Sequence, residues 1–330
     1  MSGDWRPVPG ERPGRGPVGG SAPARRVAGV EVGSFSVRCL AVEEVPGGGR
    51  RVLDDRRFPV RAGTGAFSAG ALDGRTRGEI VRSLAEIKAA LDRLHVSCYR
   101  AVATEALRAS CNGAALVGRV RRATGLALEI IDGREEIRLV QRAVAGSVSP
   151  VGRRLGIVDL GGGTLDACLA GRHGVVAAQS LPLGTLRLRE LFAGVSADLG
   201  ALRRRAAEIL PRLEIDLAAG ASQLVGIGGT IEQIARLAGE EHGPGAARVL
   251  GLAGLEKFVR DAALLSRAEL VSRLGLDADR AEVILPAALI YERVARLADA
   301  GHYLVPFVGV RDGLVIELLE KSGEAPAMNG

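Results

Sequence analysis

The sequence predicts an α/β protein built from two similar halves. Its length of 330 residues suits two domains of ordinary size. Stretches with the alternation of β-strands are followed by stretches with helical spacing, such as the apolar series Ile80, Leu84 and Ile87. A strand–glycine turn–strand pattern occurs first near residue 33 and again near residue 161. Together these observations favour a duplicated fold in which sheets are covered by helices.

The first half is predicted over residues 27–149. It opens with a hairpin at 27–45 whose turn contains Gly33 and Ser34. Asn112 is placed to cap a helix that begins at Gly113. The remaining elements are predicted as strands at 51–60, 100–104 and 127–131 and helices at 77–94, 113–124 and 134–145.

The second half is predicted over residues 150–322, because the opening pattern restarts there. When 128 is added to the residue number, Glu31 aligns with Asp159, Gly33 with Gly161, and Arg38 with Asp166. The helix after Gly313 is expected to return and pack on the first half. The other elements are predicted as a hairpin at 155–170, a strand entering a loop at 224–230, helices at 201–219, 231–238, 253–273 and 279–298, and a strand, loop and helix at 305–321.

Residues 1–26 form a separate segment that is rich in Gly, Pro and Arg and has no periodicity, which predicts a disordered basic tail. It is either an arm that touches polyanions or an inert extension, and we favour the second interpretation. The formal net charge is +6, and the tail contributes about half of it. A weakly basic folded part with 3% aromatic residues argues against nucleic-acid binding.

Composition also excludes several other classes of protein. No apolar run reaches the roughly 18 residues that a membrane span requires, and no secretory signal is visible at the N-terminus. The four cysteines lie far apart without a CxxC motif, so neither a zinc site nor a disulfide framework is predicted. We therefore expect a cytoplasmic protein with reduced thiols.

Three glycine-rich loops are candidate phosphate-binding sites. Glycine lets backbone N–H groups converge on phosphate oxygens, and Ser or Thr hydroxyls add further donors. A single glycine turn is weak evidence, but two copies at matching positions of a repeat and a third after a strand favour function. These loops lack the Walker-A lysine of a P-loop, and they lack the GxGxxG pattern. Both observations argue against P-loop and dinucleotide-binding folds. The candidate residues are Gly33, Ser34 and Ser36; Gly161, Gly162, Gly163 and Thr164; and Gly228, Gly229 and Thr230.

Four acidic residues lie on or beside these loops: Glu31, Glu105, Asp159 and Asp166. Carboxylates next to bound phosphate would repel it unless a divalent cation lies between them. The pattern therefore predicts Mg²⁺ or Mn²⁺, with a further carboxylate available to orient or deprotonate an attacking water.

Three arginines are candidate phosphate clamps because they lie near glycine loops or near Glu105: Arg38, Arg61 and Arg108. The hydroxyls of Ser34, Ser36 and Thr164 have no histidine close in sequence, so a nucleophilic triad is not supported. A directly attacking, carboxylate-activated water is the mechanism that these residue types favour.

These motifs resemble, in order and over about residues 27–320, those of the Ppx/GppA family of exopolyphosphatases and guanosine pentaphosphate phosphohydrolases. That family belongs to the actin-like ATPase and sugar kinase superfamily, so the resemblance implies two ribonuclease-H-like domains with a cleft between them. The matching segments are VGSFSVR at 32–38, RAGTG at 61–65, AVATEALR at 101–108, IIDGREEIRL at 130–139, VDLGGGTLD at 158–166, SLPLGTLRL at 180–188, LVGIGGT at 224–230, RAEVILPAALI at 280–290 and VRDGL at 310–314.

The resemblance also implies roles for individual residues. Glu105 matches the family's catalytic glutamate, which acts on the attacking water, and Asp166 occupies the position of a second catalytic glutamate. Asp159, together with Glu31, is expected to hold the metal. The implied activity is release of the terminal phosphate of inorganic polyphosphate. The alternatives are hydrolysis of the 5′ phosphate of pppGpp, or a catalytically weakened sensor that binds polyphosphate or nucleotide. The resemblance further implies a homodimer.

The sequence departs from the family pattern at both hairpins. The first loop has Glu31 in place of Asp and Phe35 in place of Asn, and the second reads GGGTLD in place of GGGSTE. Loss of a methylene withdraws the Asp166 carboxylate by about 1.5 Å, and a shift of about 1 Å at a reacting centre can cost roughly 100-fold. We expect the longer Glu31 to compensate in part, which leaves one metal ion between the loops and an attenuated enzyme.

Overall fold

Two β-sheets with helices packed against them organise the chain. The computed structural model describes residues 24–45, 49–148, 154–196, 198–242 and 247–321. Residues 1–23 of the predicted tail, the predicted domain boundary near residue 150 and residue 322 lie outside these ranges. Arg26, the last residue of the predicted tail, is the first residue of the first strand.

The first sheet has five strands in the order β3-β2-β1-β4-β5. Strand β2 is antiparallel to both of its neighbours, β1 and β3, whereas β4 and β5 run parallel to β1. The elements of this half are β1 (Arg26–Val32), β2 (Ser36–Val45), β3 (Gly49–Pro59), α1 (Ala62–Ala69), α2 (Gly74–Arg93), β4 (Cys98–Ala103), α3 (Glu105–Arg108), α4 (Gly113–Thr124), β5 (Leu128–Ile130) and α5 (Gly133–Ala145).

The second sheet repeats this order and extends it by two strands, as β10-β11-β12-β9-β6-β7-β8. Strand β7 is antiparallel to both of its neighbours, β6 and β8, and β9 and β12 run parallel to β6. The elements are β6 (Arg154–Leu160), β7 (Leu165–Gly171), β8 (Gly174–Leu181), α6 (Thr185–Leu191), α7 (Leu199–Ile209), α8 (Leu217–Gly220), β9 (Gln223–Ile227), α9 (Gly229–Ala238), β10 (Glu240–Glu241), β11 (Arg248–Gly251), α10 (Leu252–Ala263), α11 (Arg267–Leu274), α12 (Ala278–Leu297), β12 (His302–Val305) and α13 (Val310–Glu320).

The shared strand order identifies two ribonuclease-H-like domains of the actin-like fold, as the sequence predicted. The central strands are almost continuously apolar and buried, because helices cover both faces of each sheet. Among the described residues, no helix has the length and apolar character needed to cross a membrane.

The last helix, α13, packs on the first sheet and on α5. Gly29 in β1 permits this approach, because a Cβ there would overlap the carbonyl oxygen of Arg311 and lie 3.0 Å from Leu314 Cβ. The side chain of Glu317 in α13 is buried, and it accepts a hydrogen bond of 3.2 Å from Arg100 and a further one from Arg138. Both arginines belong to the first half, so these bonds fix the end of the chain there.

Some local predictions were wrong. The helix expected over 201–219 stops at Ile209 and restarts as α8, because Pro211 cannot continue a helix. Asn112 occupies the N-cap position of α4 as predicted, but its side chain does not cap the helix; its side-chain oxygen accepts from Leu72 N at 3.0 Å, and its amide donates to Leu72 O at 2.9 Å. The helix expected over 253–273 is two helices, since Ser266 forms a capping box that starts α11.

Candidate active site

The two glycine hairpins, β1–β2 and β6–β7, contact each other at their turns. Each turn is closed in the same way, by a 2.9 Å hydrogen bond from Gly33 N to Ser36 O and from Gly161 N to Thr164 O. A Cβ on Gly162 would collide with the Ser34 side chain and lie 2.8 Å from its Oγ. The absence of a side chain at Gly162 therefore allows the two halves to meet.

A cavity of about 110 Å³ lies beside this contact and is lined by both halves. Five of the predicted site residues are not among those that line it: Arg61, Arg108, Gly163, Thr164 and Asp166. The predicted residues that do line it are Glu31, Gly33, Ser34, Ser36, Arg38, Glu105, Asp159, Gly161, Gly162, Gly228, Gly229 and Thr230.

Glu105 belongs to the first half but lies against the loop of the second. It follows β4 and starts α3, at the end of the sheet where the parallel strands terminate. A Cβ on Gly163 would lie 2.8 Å from Glu105 Cγ, so the glycine loop leaves room for the carboxylate. This placement brings Glu105 to the boundary between the domains, on the wall of the central cavity.

Arg108 follows Glu105 by one helical turn and forms an ion pair with it. Its guanidinium also donates to Ile131 O at 2.6 Å and lies 3.5 Å from Glu136 Oε2. These contacts occupy the guanidinium, so its position favours orientation of Glu105 over the phosphate binding that the sequence predicted.

Asp159 lies between the two glycine loops of the second half. It pairs in register with Asp166 on β7 and with Ile227 on β9, and a Cβ on Gly228 would lie 3.0 Å from its Oδ1. Gly228 has a φ of 104°, a conformation that a residue with a side chain rarely adopts. Burial, with the charges of Asp166 and Glu31, raises the pKa of Asp159 to about 8.

Glu31 occupies the equivalent position in the first half. Burial raises the pKa of Glu31 above its usual value, and the charges of Arg38 and Arg311 oppose this rise. Arg38 is its register partner on β2. Glu31 and Asp159 therefore approach the cavity from opposite halves, each with its charged form destabilised by burial.

Asp166 lies behind Asp159, away from the central cavity. Thr164 Oγ1 donates to Asp166 Oδ2 at 2.9 Å, while Oδ1 is buried and has no hydrogen-bond partner among the described residues. Burial raises the pKa of Asp166 as well. Asp166 lines a cavity of about 10 Å³ together with Glu136, Cys168 and Asp159. The two residues predicted as catalytic, Glu105 and Asp166, thus line different cavities. Asp159 is part of the wall of both.

Glu136 is an acidic residue of the site that the sequence reasoning missed. It lies in the first turn of α5 and lines both the central cavity and the small one behind it. Burial and the charges of Asp166 and Asp159 raise its pKa well above the usual value. The neighbouring Glu135 instead binds Arg138 and Arg100, which lower its pKa to about 2. Two adjacent acids in the quoted segment GREEIRL were a usable signal, but sequence alone does not show which one faces the cleft.

Two arginines of the site, Arg57 and Arg280, were also missed. A Cβ on Gly229 would lie 3.0 Å from both terminal nitrogens of Arg280 and 3.4 Å from Arg38 Nη2, so these guanidinium groups converge over the third loop. Arg280 Nη1 also donates to Thr230 Oγ1 at 3.1 Å. Burial and neighbouring positive charges lower the pKa of both Arg57 and Arg280.

Arg38, Arg57 and Arg280 form no ion pair with any carboxylate of the described residues, whereas the predicted clamp Arg61 pairs with Asp279 at 2.5 Å. Unpaired, partly buried cations that repel one another define a site for an anion. Phosphate suits this site because each guanidinium can bind two of its oxygens.

Two acidic residues of the central cavity can contribute to binding of a divalent metal ion. Across the described ranges, no group of three or more His, Cys, Asp or Glu side chains forms a complete metal site. Asp159 and Glu31 nevertheless supply oxygen ligands on facing walls of one cavity, and burial raises the pKa of both because it destabilises their charged forms, which a cation between them would stabilise. Mg²⁺ commonly binds one or two carboxylates and completes its shell with phosphate and water. These residues fit such an ion.

The duplicated domains and the cleft with loops, arginines and carboxylates define a phosphate-handling protein of the actin-like class. The model of the Ppx/GppA phosphatase family matches residues 41–322, so the chain belongs to this family. Exopolyphosphatase 1 of Mycobacterium tuberculosis is 28% identical over 318 residues, which cover 92% of this chain and 91% of that protein. The guanosine-5'-triphosphate,3'-diphosphate pyrophosphatase of Vibrio vulnificus is 26% identical, with 89% of this chain and 59% of that protein covered.

Solved structures agree with this assignment. The crystal structure of the Aquifex aeolicus member of the Ppx/GppA family is 26% identical and superposes with a TM-score of 0.78, covering 92% of this chain and all of that one. An exopolyphosphatase from Cytophaga hutchinsonii is 20% identical and shares the fold with a TM-score of 0.82, over 90% of this chain and 98% of that one. Because the family's members are phosphatases, membership supports a hydrolase.

Proposed function

We propose that the protein is a metal-dependent exopolyphosphatase that releases the terminal phosphate of inorganic polyphosphate. The proposal depends on one observation: the two glycine hairpins contact each other beside a cavity whose wall includes the unpaired arginines and also Glu105. Exopolyphosphatases among the relatives that match most of the chain give further support.

The terminal phosphate would bind between the three glycine loops. Helix α9 begins at Gly229, so its N-terminal N–H groups and positive dipole end face a phosphate in the cavity. Arg38 and Arg280 would bind the phosphate oxygens, and Thr230, whose hydroxyl already accepts from Arg280, would hold that guanidinium in place.

Glu105 would direct a water molecule at the terminal phosphorus and accept its proton, with Arg108 and Ile131 O fixing the geometry of the pair. Asp159 and Glu31 would hold Mg²⁺ or Mn²⁺, which supplies neutralisation of phosphate charge when it is bound. No covalent intermediate is needed, because positioning and electrostatics account for most phosphoryl-transfer catalysis.

Hydrolysis of pppGpp is the second candidate. It is favoured by a neighbouring cavity of about 760 Å³, whose wall includes the ring of Phe35 and which has room for a nucleoside. A member that binds these ligands without turnover is the third candidate, since Asp166 lies outside the central cavity.

Phosphate release from long-chain polyphosphate and from pppGpp, with and without Mg²⁺ or Mn²⁺, separates these candidates. We expect faster release from polyphosphate, and only with metal. Glu105→Gln should lower kcat by about 100-fold or more, since it removes the general base. The exposed Glu86 on α2 offers a matched control, Glu86→Gln, which should keep the wild-type rate. Faster release from pppGpp, or an undiminished rate for Glu105→Gln, would refute the proposal.

A further inference from the structure

Two larger cavities adjoin the central one, and both share Arg57 and Arg280 with it. One is the cavity of about 760 Å³ between α2 and α12. The other, of about 300 Å³, lies near α9 and α13. A chain of phosphates that ends in the central cavity can continue into either of them, because each shares part of its wall with it.

In the larger cavity, few positive charges are free to bind a polyanion, because carboxylates already pair with them. Arg61 pairs with Asp279, and Arg75 pairs with Glu79 at 2.9 Å. Asp73 also faces it and accepts from Thr76 N at 2.7 Å as the cap of α2. Apolar side chains, including Phe35 and Val283, form part of its wall. Its charges are compensated internally, and its acids would repel phosphate.

The smaller cavity has an excess of positive charge. We call it the arginine pocket, and its charged lining consists of Arg38, Arg57, Arg236, Arg280 and Arg311 with Asp55, Glu232 and Asp277. Arg311 is paired with Asp55, and Asp277 accepts from Arg280 N as the cap of α12. The backbone hydrogen bond leaves the charge of Asp277 in place, so four arginines face two carboxylates, Glu232 and Asp277.

Arg236 extends the arginine pocket away from the central cavity. It pairs with no carboxylate of the described chain, and its guanidinium stacks over the ring of Phe307, 4.3 Å from the centroid. Phe307 has a φ of 57°, which is unusual for a bulky residue. The stacking orders the guanidinium before a ligand arrives and leaves its edge available for hydrogen bonds.

We propose that the phosphates behind the terminal one pass through the arginine pocket, where Arg57 and Arg236 bind them. This inference rests on the proposed function and adds to it a route and a preference for long chains. A linear polyphosphate carries charge along its length and no base, so unpaired arginines, and not an apolar wall, determine its path. Arg236 is expected to contact only chains long enough to extend beyond Arg280.

The test compares Arg236→Gln with a matched control from the larger cavity, the exposed Arg75→Gln. Arg236→Gln should raise KM for long-chain polyphosphate about tenfold, as expected for the loss of about 1.4 kcal/mol. Its kcat and its KM for tripolyphosphate should change less than about twofold. Arg236→Lys should recover part of the affinity, because it restores the charge. Arg75→Gln should leave both substrates unaffected.

The salt dependence adds a measurement that a purely structural role would not change. The slope of log KM against log salt for long chains should become shallower by about one in Arg236→Gln. Equal effects on long and short substrates, or no effect on either, would overturn the proposed route. A loss of long-chain affinity in Arg75→Gln alone would place the chain in the larger cavity and would also overturn it.

The route can be tested even if the proposed hydrolysis fails. If the wild-type protein hydrolyses no polyphosphate, equilibrium binding of fluorescently labelled long-chain polyphosphate still tests the route. Weaker binding by Arg236→Gln than by Arg75→Gln would support the route in a protein that only binds. Equal binding by both variants, or no binding by the wild type, would refute it.

Discussion

The two glycine hairpins share one backbone but carry different charges. Both close with a 2.9 Å turn hydrogen bond, and both have an acid in the first strand of the hairpin, two residues before a glycine. In β1–β2 the residue opposite this acid is a cation, since Glu31 pairs in register with Arg38. In β6–β7 the opposite residue is a second acid, since Asp159 pairs with Asp166.

This difference gives the two halves of the site different electrostatic surroundings. The first hairpin offers Arg38 to an anion while the charge of Glu31 is partly compensated. In the second, burial together with the charges of Asp166 and Glu31 raises the pKa of Asp159 to about 8, so a proton or a cation is favoured there. A duplicated fold thus provides two equivalent positions, and the residue opposite the acid, Arg38 in one hairpin and Asp166 in the other, gives them different surrounding charges.

The most damaging change should be the one that separates the hairpins. Gly162→Ala introduces a methyl group into the space of Ser34, and we expect a loss of kcat/KM of about 100-fold or more through misplacement of the reacting groups. Gly171→Ala, at the far end of the same hairpin, is a suitable control because its Cβ would lie 3.4 Å from Val176. Phosphate-release kinetics compare the two, and equal activity would show that the contact is dispensable.

Asp159→Asn should remove one of the two facing carboxyl groups of the second hairpin, and with it the dependence of stability on the protonation of Asp159. In the wild-type, metal-free protein, the folded state holds a proton on Asp159 up to a pH of about 8, whereas the unfolded chain releases it near 3.8. The free energy of unfolding therefore falls with rising pH across this window, by at most about 1.4 kcal/mol per pH unit from this residue. Urea denaturation at several pH values should show a smaller decline for Asp159→Asn. An unchanged decline would contradict the assignment.

Arg38→Gln should affect the first hairpin, where the cation is expected to bind phosphate. We expect KM to rise about tenfold with a smaller change in kcat, because one charged contact to the substrate is lost. Arg56, on the neighbouring strand, pairs with Asp54 and offers Arg56→Gln as a control. Steady-state kinetics on both variants measure this, and a pure kcat effect for Arg38→Gln would argue against phosphate binding.

The smallest effects should come from exchanging the lengths of the acids. Asp166→Glu and Glu31→Asp each move a carboxylate by about 1.5 Å, and we expect changes of a few fold in metal-dependent phosphate release. If the two departures compensate, the double variant should differ from the product of the single effects. Strictly multiplicative effects on kcat would remove the idea of compensation.

The parts of the site that were predictable are those encoded locally. The hairpin turns and the positions of Glu31 and Asp159 follow from strand alternation and from the repeat. Arg57 and Arg280 could not be found in this way, because β3 and α12 are far apart in sequence and bring them together only through folding. The same reason explains Asn112, whose position suggested a cap but whose side chain instead binds the distant Leu72.

The return of α13 to the first half means that the chain crosses between the halves twice. One crossing joins α5 to β6, and the other is the segment 306–309 between β12 and α13. Val308 and Gly309 of the second crossing also form part of the wall of the central cavity. A rotation of one domain against the other would therefore bend a segment that is also part of the cavity wall, and so would change the shape of that cavity.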